Sequence, residues 1–160
     1  MEHQINSQVR HFSATTGARA LLCAFVGLCL STHAWSALGS DATSVLADRQ
    51  AWSASSTQST LGGATLQTQT LPNGVTVRQY LDANGYVFAV GWEGPVLPDF
   101  SRLLGVHFAA YIQAVRQQKH GVAIHGADLV MESGGMMRSF SGHAYLPAKL
   151  PAGMHAQDIR

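Results

Sequence analysis

Apolar residues crowd first into one unbroken run, Ala20–Leu30 (ALLCAFVGLCL), preceded by Arg10 and Arg19 and followed by the small residues around Ala34-Trp35-Ser36. A basic flank, a short apolar stretch and small residues in that order make an export-signal pattern. The run holds 11 residues, whereas a membrane span needs about 20. The spacing therefore predicts a signal peptide over 1–36, cut after Ser36 or alternatively after Ala34, and no permanent anchor once it is removed.

Downstream the period changes. Asp41–Gln50 (DATSVLADRQ) reads as a short helix with Ser40 or Asp41 available as its cap. Ser53–Gly63 (SASSTQSTLGG) is rich in Ser, Thr and Gly and has almost nothing to bury, so it is expected as a flexible connector. Two Asn-Gly dipeptides follow, Asn73-Gly74 and Asn84-Gly85, with β-prone residues around them, and these predict a three-stranded meander. Two-residue loops would set Arg78 between Gln69 and Gly91. In that register Leu66, Val77, Phe88 and Trp92 share the core face, and Gln67, Gln69, Arg78 and Tyr80 share the other.

Phe100, Leu103, Leu104, His107, Phe108, Tyr111, Ile112 and Val115 repeat at helical spacing and predict one long amphipathic helix over the core face. Pro98-Asp99 would start it and Lys119-His120-Gly121 would stop it. Val122–His125 and Asp128–Ser133 read as strands, with Gly134-Gly135 turning the chain into a last strand over Met136–Tyr145. The expected fold is α+β: a mainly antiparallel sheet, built as a three-stranded meander plus a C-terminal hairpin, covered by one long helix and preceded by a short one.

Composition alters this picture in two ways. Removal of residues 1–36 takes away both cysteines, Cys23 and Cys29, and leaves 124 residues (160 − 36). Burial alone must then stabilise a domain sent to an oxidising compartment. The same 124 residues carry eight Lys and Arg against eight Asp and Glu, so there is no electrostatic footprint for nucleic acid and no long-range steering of a charged partner.

Particular residues also resemble a known family: Ala37-Leu38-Gly39, Val77-Arg78-Gln79-Tyr80, Val87 through Pro95 (VFAVGWEGP), Leu97-Pro98-Asp99 with Leu103-Leu104-Gly105, and Glu132-Ser133-Gly134-Gly135 leading to Ala144-Tyr145-Leu146-Pro147. Over nearly all of 37–160 the chain resembles a proteobacterial family of small exported proteins classed as a domain of unknown function. The resemblance implies export and a shared fold, and it carries over no catalytic residue.

Most catalytic chemistry is excluded by what the pattern lacks. No thiol remains after cleavage, and no G-x-S-x-G elbow is present. Asp128 and Glu132, if on one strand face, stand about 13 Å apart, too far for a glycosidase pair. His107, His120, His125, His143 and His155 show no metal-ligand spacing, so neither a metal nor another cofactor is expected. The expectation is a non-catalytic periplasmic or secreted accessory module that docks a partner protein or a carboxylate-bearing ligand. Arg78 would be the fork donor and Tyr80 the anchor, with Gln67 and Gln69 alongside; the competing expectation is that the C-terminal hairpin or the first helix covers this face and Arg78 simply pairs with Glu93 or Asp82. The alternative is a small periplasmic hydrolase whose Ser and His residues meet only in the fold.

Overall fold

The computed structural model describes residues 37–160; the expected signal peptide, its cleavage position and both cysteines lie outside the described residues. The described chain is α+β. Its elements are α1 (Ala42–Ala51), β1 (Ser55–Leu61), β2 (Ala64–Thr70), β3 (Thr76–Leu81), β4 (Val87–Gly94), α2 (Phe100–Leu104), α3 (Phe108–Gln117), β5 (Val122–His125), β6 (Val130–Met136) and β7 (Ser139–Tyr145). All seven strands join one antiparallel sheet in the order β1-β2-β3-β4-β7-β6-β5. No described helix is long and apolar enough to cross a membrane.

Three expected elements take a different form. The segment read as a flexible connector is strand β1, paired along its whole length with β2. Gly62 and Gly63 both have positive φ (57° and 83°) and close a tight hairpin from Leu61 to Ala64, the geometry that favours glycine at both turn positions. Main-chain pairing holds this strand, which is why its lack of apolar residues misled the reading of the sequence. The single long helix is broken at Gly105 (φ 50°, ψ −117°) into α2, a 3-10 turn over Gly105–His107, and α3. The break shifts the phase of the second half, so that Ala114 is buried and Val115 is exposed. Gly134-Gly135 does not turn the last hairpin but lies inside β6, with Gly135 too close to the backbone of Ser139 and Phe140 for any side chain. The turn falls instead at Met137-Arg138, both at positive φ.

Loop length sets the faces. Leu71 N–H donates to the Val75 carbonyl at 2.8 Å and Gly74 N–H to the Leu71 carbonyl at 3.0 Å, so Pro72-Asn73-Gly74 is a three-residue loop with Gly74 at φ 84°. Arg78 consequently pairs with Thr68 and Gln69 with Val77, one residue away from the expected register. The second loop, Ala83-Asn84-Gly85, is equally long, because Asp82 N–H donates to the Tyr86 carbonyl at 2.9 Å. There a bulge between Tyr80 and Leu81 leaves Phe88 unpaired and restores the expected pairing of Arg78 with Gly91.

One sheet face carries Val75, Val77, Leu81, Val87, Val90, Trp92, Met131 and Ala144, and Val45 of α1 with Phe100, Leu103 and Leu104 of α2 cover it. Phe100 stands edge-on to Trp92 at 4.9 Å and tilts against Tyr111 at 4.7 Å. Each such fully buried side chain contributes about 1.5–3 kcal/mol. Both helix starts are capped as the sequence implies: Asp41 accepts from Thr43 and Ser44 N–H, and Asp99 from Ser101 and Arg102 N–H.

A polar chain lies within this layer. Asp48 of α1 accepts from Gln79 Nε2 at 3.1 Å, and Gln69 Nε2 reaches both Gln79 Oε1 at 3.1 Å and the Val45 carbonyl at 2.9 Å. All three side chains are fully buried. Burial pushes the Asp48 carboxyl up from its ordinary 3.8 to about 6, partly opposed by the Gln79 hydrogen bond and the Arg102 charge. The folded state therefore holds the proton more tightly than the unfolded one, and the associated stability is present below pH 3.8 and lost as pH rises through about 6. The loss amounts to at most about 3 kcal/mol. Asp48→Asn keeps an acceptor for Gln79 and carries no charge. In urea unfolding it should exceed wild type by about 1–3 kcal/mol at neutral pH and above, with the gap closing toward pH 4. A gap that does not change with pH would contradict this account of Asp48.

Candidate ligand-binding face

The opposite face of the sheet is covered only in part, and the cover is the chain's own last described segment. Leu146 N–H donates to the Phe88 carbonyl at 2.9 Å. The chain then turns through Pro147–Lys149 and returns over the sheet, burying Met154 and Ile159 against Ala64, Tyr80, Phe88 and Ala89. A 3-10 turn over Ala156–Asp158, capped by reciprocal contacts of His155 and Asp158, aims Arg160 at the sheet. Arg160 N–H donates to the Tyr80 hydroxyl at 3.1 Å, and that hydroxyl lies 3.3 Å from the Arg160 carbonyl and 3.4 Å from the Asp158 carbonyl, either of which can take its proton. Beneath the Arg160 carbonyl is Gly91, where any Cβ would collide with it.

Arg78 and Tyr80 are thus brought together, two apart on β3 and facing the same segment. Arg78 Nη2 pairs with Glu93 Oε1 at 2.7 Å, and its Nη1 approaches the Arg160 carbonyl at 3.5 Å. With Leu61, Leu66, Asp158 and Arg160 they line a groove of about 350 Å³. Gln67 and Gln69 do not join them. The one-residue change of register turns both to the helix-covered side, where Gln67 Nε2 donates to Gln58 Oε1 at 2.6 Å and Gln69 belongs to the buried chain around Asp48. Leu66 takes the place beside Tyr80 instead.

Beyond Gly91 the same face is open. Cross-strand pairing puts His143 of β7 next to Gly91 and Glu132 of β6 next to His143, and it puts Ser141 beside Glu93. The meeting of these residues on one face escaped the sequence reading because β7 joins β4 across a long crossover. The local signal was the alternation Ser141-x-His143-x-Tyr145 along one strand face. A groove of about 760 Å³ opens here, bounded by Lys119, His120, Glu132, Ser133, Ser141 and His143 over the bare backbone of Gly134 and Gly142. Its size lies within the range of small-ligand sites. His143 stacks on Tyr145 at 6.2 Å, and His125 Nε2 stands 3.8 Å from Glu132 Oε1.

Ser141, His143 and Glu132 bring a hydroxyl, an imidazole and a carboxylate to one place. No hydrogen bond among the described residues joins Ser141 to His143 or His143 to Glu132, and an activated serine needs both links. Among the described residues no group of three His, Cys, Asp or Glu side chains is disposed to hold a metal ion. What the face does display is contact with the chain's own backbone at Arg160: the Tyr80 hydroxyl on its N–H, the Arg78 guanidinium near its main-chain oxygen, and Gly91 beneath that oxygen.

A family model described as "Protein of unknown function (DUF2844)" matches residues 34–159. No curated protein and no solved structure matches the chain.

The close fit at Gly91 is open to a direct check. Gly91→Ala should lift the Arg160 end of the segment, lower stability by about 1–3 kcal/mol and speed amide exchange at Met154–Arg160 while α1 and α2 stay protected. Unchanged exchange in that segment would show that the contact does not hold it down.

Proposed function

The chain belongs to the DUF2844 family, and from that premise we propose that it is an exported, non-catalytic accessory module, periplasmic or secreted, that holds an extended segment of an envelope or secreted partner protein on the open half of its second sheet face. The observation that carries this reading is the way the face holds its own chain, with Arg160 N–H on the Tyr80 hydroxyl and the Arg160 carbonyl over Gly91 near Arg78. The groove of Glu132, Ser141 and His143 continues from that point on the neighbouring strands, so a partner segment there would meet donors and acceptors of both kinds. Export is supported by the basic flank and 11-residue apolar run at Ala20–Leu30.

The hydrolase reading draws on the shared groove of Ser141, His143 and Glu132. It ranks second because those three side chains share no hydrogen bond and His143 is stacked on Tyr145.

Photo-crosslinking from the β6–β7 groove in an envelope extract separates the two. A single partner crosslinked to wild type, and reduced at least about tenfold by a Glu132→Lys/Ser141→Tyr double variant that fills and recharges the groove, supports the module. A partner retained equally by the variant, or ester hydrolysis abolished by Ser141→Ala, would overturn it. The export part is checked by the mass of the protein recovered outside the cytoplasm, which should begin at Ala37.

A further inference from the structure

The two edges of the sheet are treated differently. At one, β5 is only four residues long. The Gln118 side chain closes it by donating Nε2 to the Ala123 carbonyl at 2.7 Å and accepting the Ala123 N–H on Oε1, also at 2.7 Å. One amide thus satisfies the outward donor and acceptor of the residue in the middle of that edge. At the other, β1 runs for seven residues in unbroken register with β2. No described residue hydrogen-bonds to the backbone along its outer side. Charges, prolines, bulges and short length are the usual guards of such an edge. Here there is no Asp, Glu, Lys, Arg or Pro in β1, and no charged residue anywhere between Arg49 and Arg78.

The open edge is also self-complementary. A second β1 laid antiparallel about a twofold axis at Gln58 would set Ser56 against Thr60 and Thr57 against Ser59, pairs of hydroxyls that bond across strands. It would set Gln58 against Gln58, and Leu61, now exposed, against Ser55. The amide contacts lead to the same point. Gln67 Nε2 donates to Gln58 Oε1, and the Gln58 amide N–H groups have no partner among the described residues. No like charges meet in this register.

We propose that β1 pairs antiparallel with β1 of a second copy of this chain, about a twofold axis at Gln58, joining two seven-stranded sheets into one. The contact is isologous, so it closes at two copies, and the Gln118 cap keeps the far edges from extending it. Its small area places it among weak, concentration-dependent associations, with a dissociation constant on the order of micromolar or higher.

Sedimentation equilibrium of the full chain tests this with a charge exchange at the axis. Wild type should move from one to two chain masses as concentration rises, and go no further. Gln58→Lys and Gln58→Glu each oppose like charges across the axis and should weaken association by more than about tenfold, with far-UV spectra unchanged because the side chain is exposed. An equal mixture of the two should regain a dimer, which a folding defect would not produce. A wild type that stays monomeric at all concentrations, single variants that associate like wild type, or a mixture that stays monomeric would each overturn the proposal.

Discussion

Side chains alternate across a strand, so the parity of the loop at Pro72–Gly74 assigns every residue of β2 to a face. With three loop residues, Gln69 falls beside Gln79 beneath α1, where the two amides and Asp48 satisfy one another in an otherwise apolar layer. Leu66 falls beside Tyr80, where Met154 and Ile159 cover that part of the sheet. Two-residue geometry would invert both assignments. It would leave two glutamines against Met154 and Ile159 and would take from Gln79 its amide partner, a costly exchange on both sides of the sheet.

The second face depends on the same arrangement. Since β3 and β4 keep Arg78 opposite Gly91, the bare backbone of Gly91 lies between the guanidinium and His143, and the Arg160 carbonyl reaches the sheet there. The segment that ends at Arg160 therefore serves two purposes. It completes a small apolar cluster around Phe88, and it divides the polar face into a covered part around Arg78 and Tyr80 and an open part around His143. The difference between the two edges has the same local character: one glutamine side chain occupies the backbone of β5, and nothing comparable lies along β1 among the described residues.

Much of this was legible from pattern alone. Helix α1 and its Asp41 cap, the start of α2 at Asp99, the strands around both Asn-Gly turns and the core placement of Val77 and Trp92 follow from period and turn chemistry, whereas Leu66 and Phe88, expected on that same face, lie on the other. The misreadings have separate local causes. An Asn-Gly dipeptide serves loops of two or three residues, so it marks the turn without settling its parity. The residues Ser55–Leu61 bury almost nothing, and a strand held by backbone pairing has no apolar signature. Gly134-Gly135 resembles a turn, yet it lies within β6, where Gly135 is required by close approach to Ser139 and Phe140. Of the expected site, Arg78 and Tyr80 were legible because they are two apart on one strand. Gln67 and Gln69 were misplaced by the loop, and His143, Ser141 and Glu132 reach the face only through the long-range pairing of β7 with β4.

The central claim is the register of β2 on β3, and inter-strand Hα–Hα contacts in a solution NMR spectrum test it most directly. The account predicts contacts at the non-hydrogen-bonded pairs of the observed register, Thr70–Thr76, Thr68–Arg78 and Leu66–Tyr80. Contacts that pair Gln69 with Arg78 and Gln67 with Tyr80 instead would contradict it, and with it the placement of every β2 side chain.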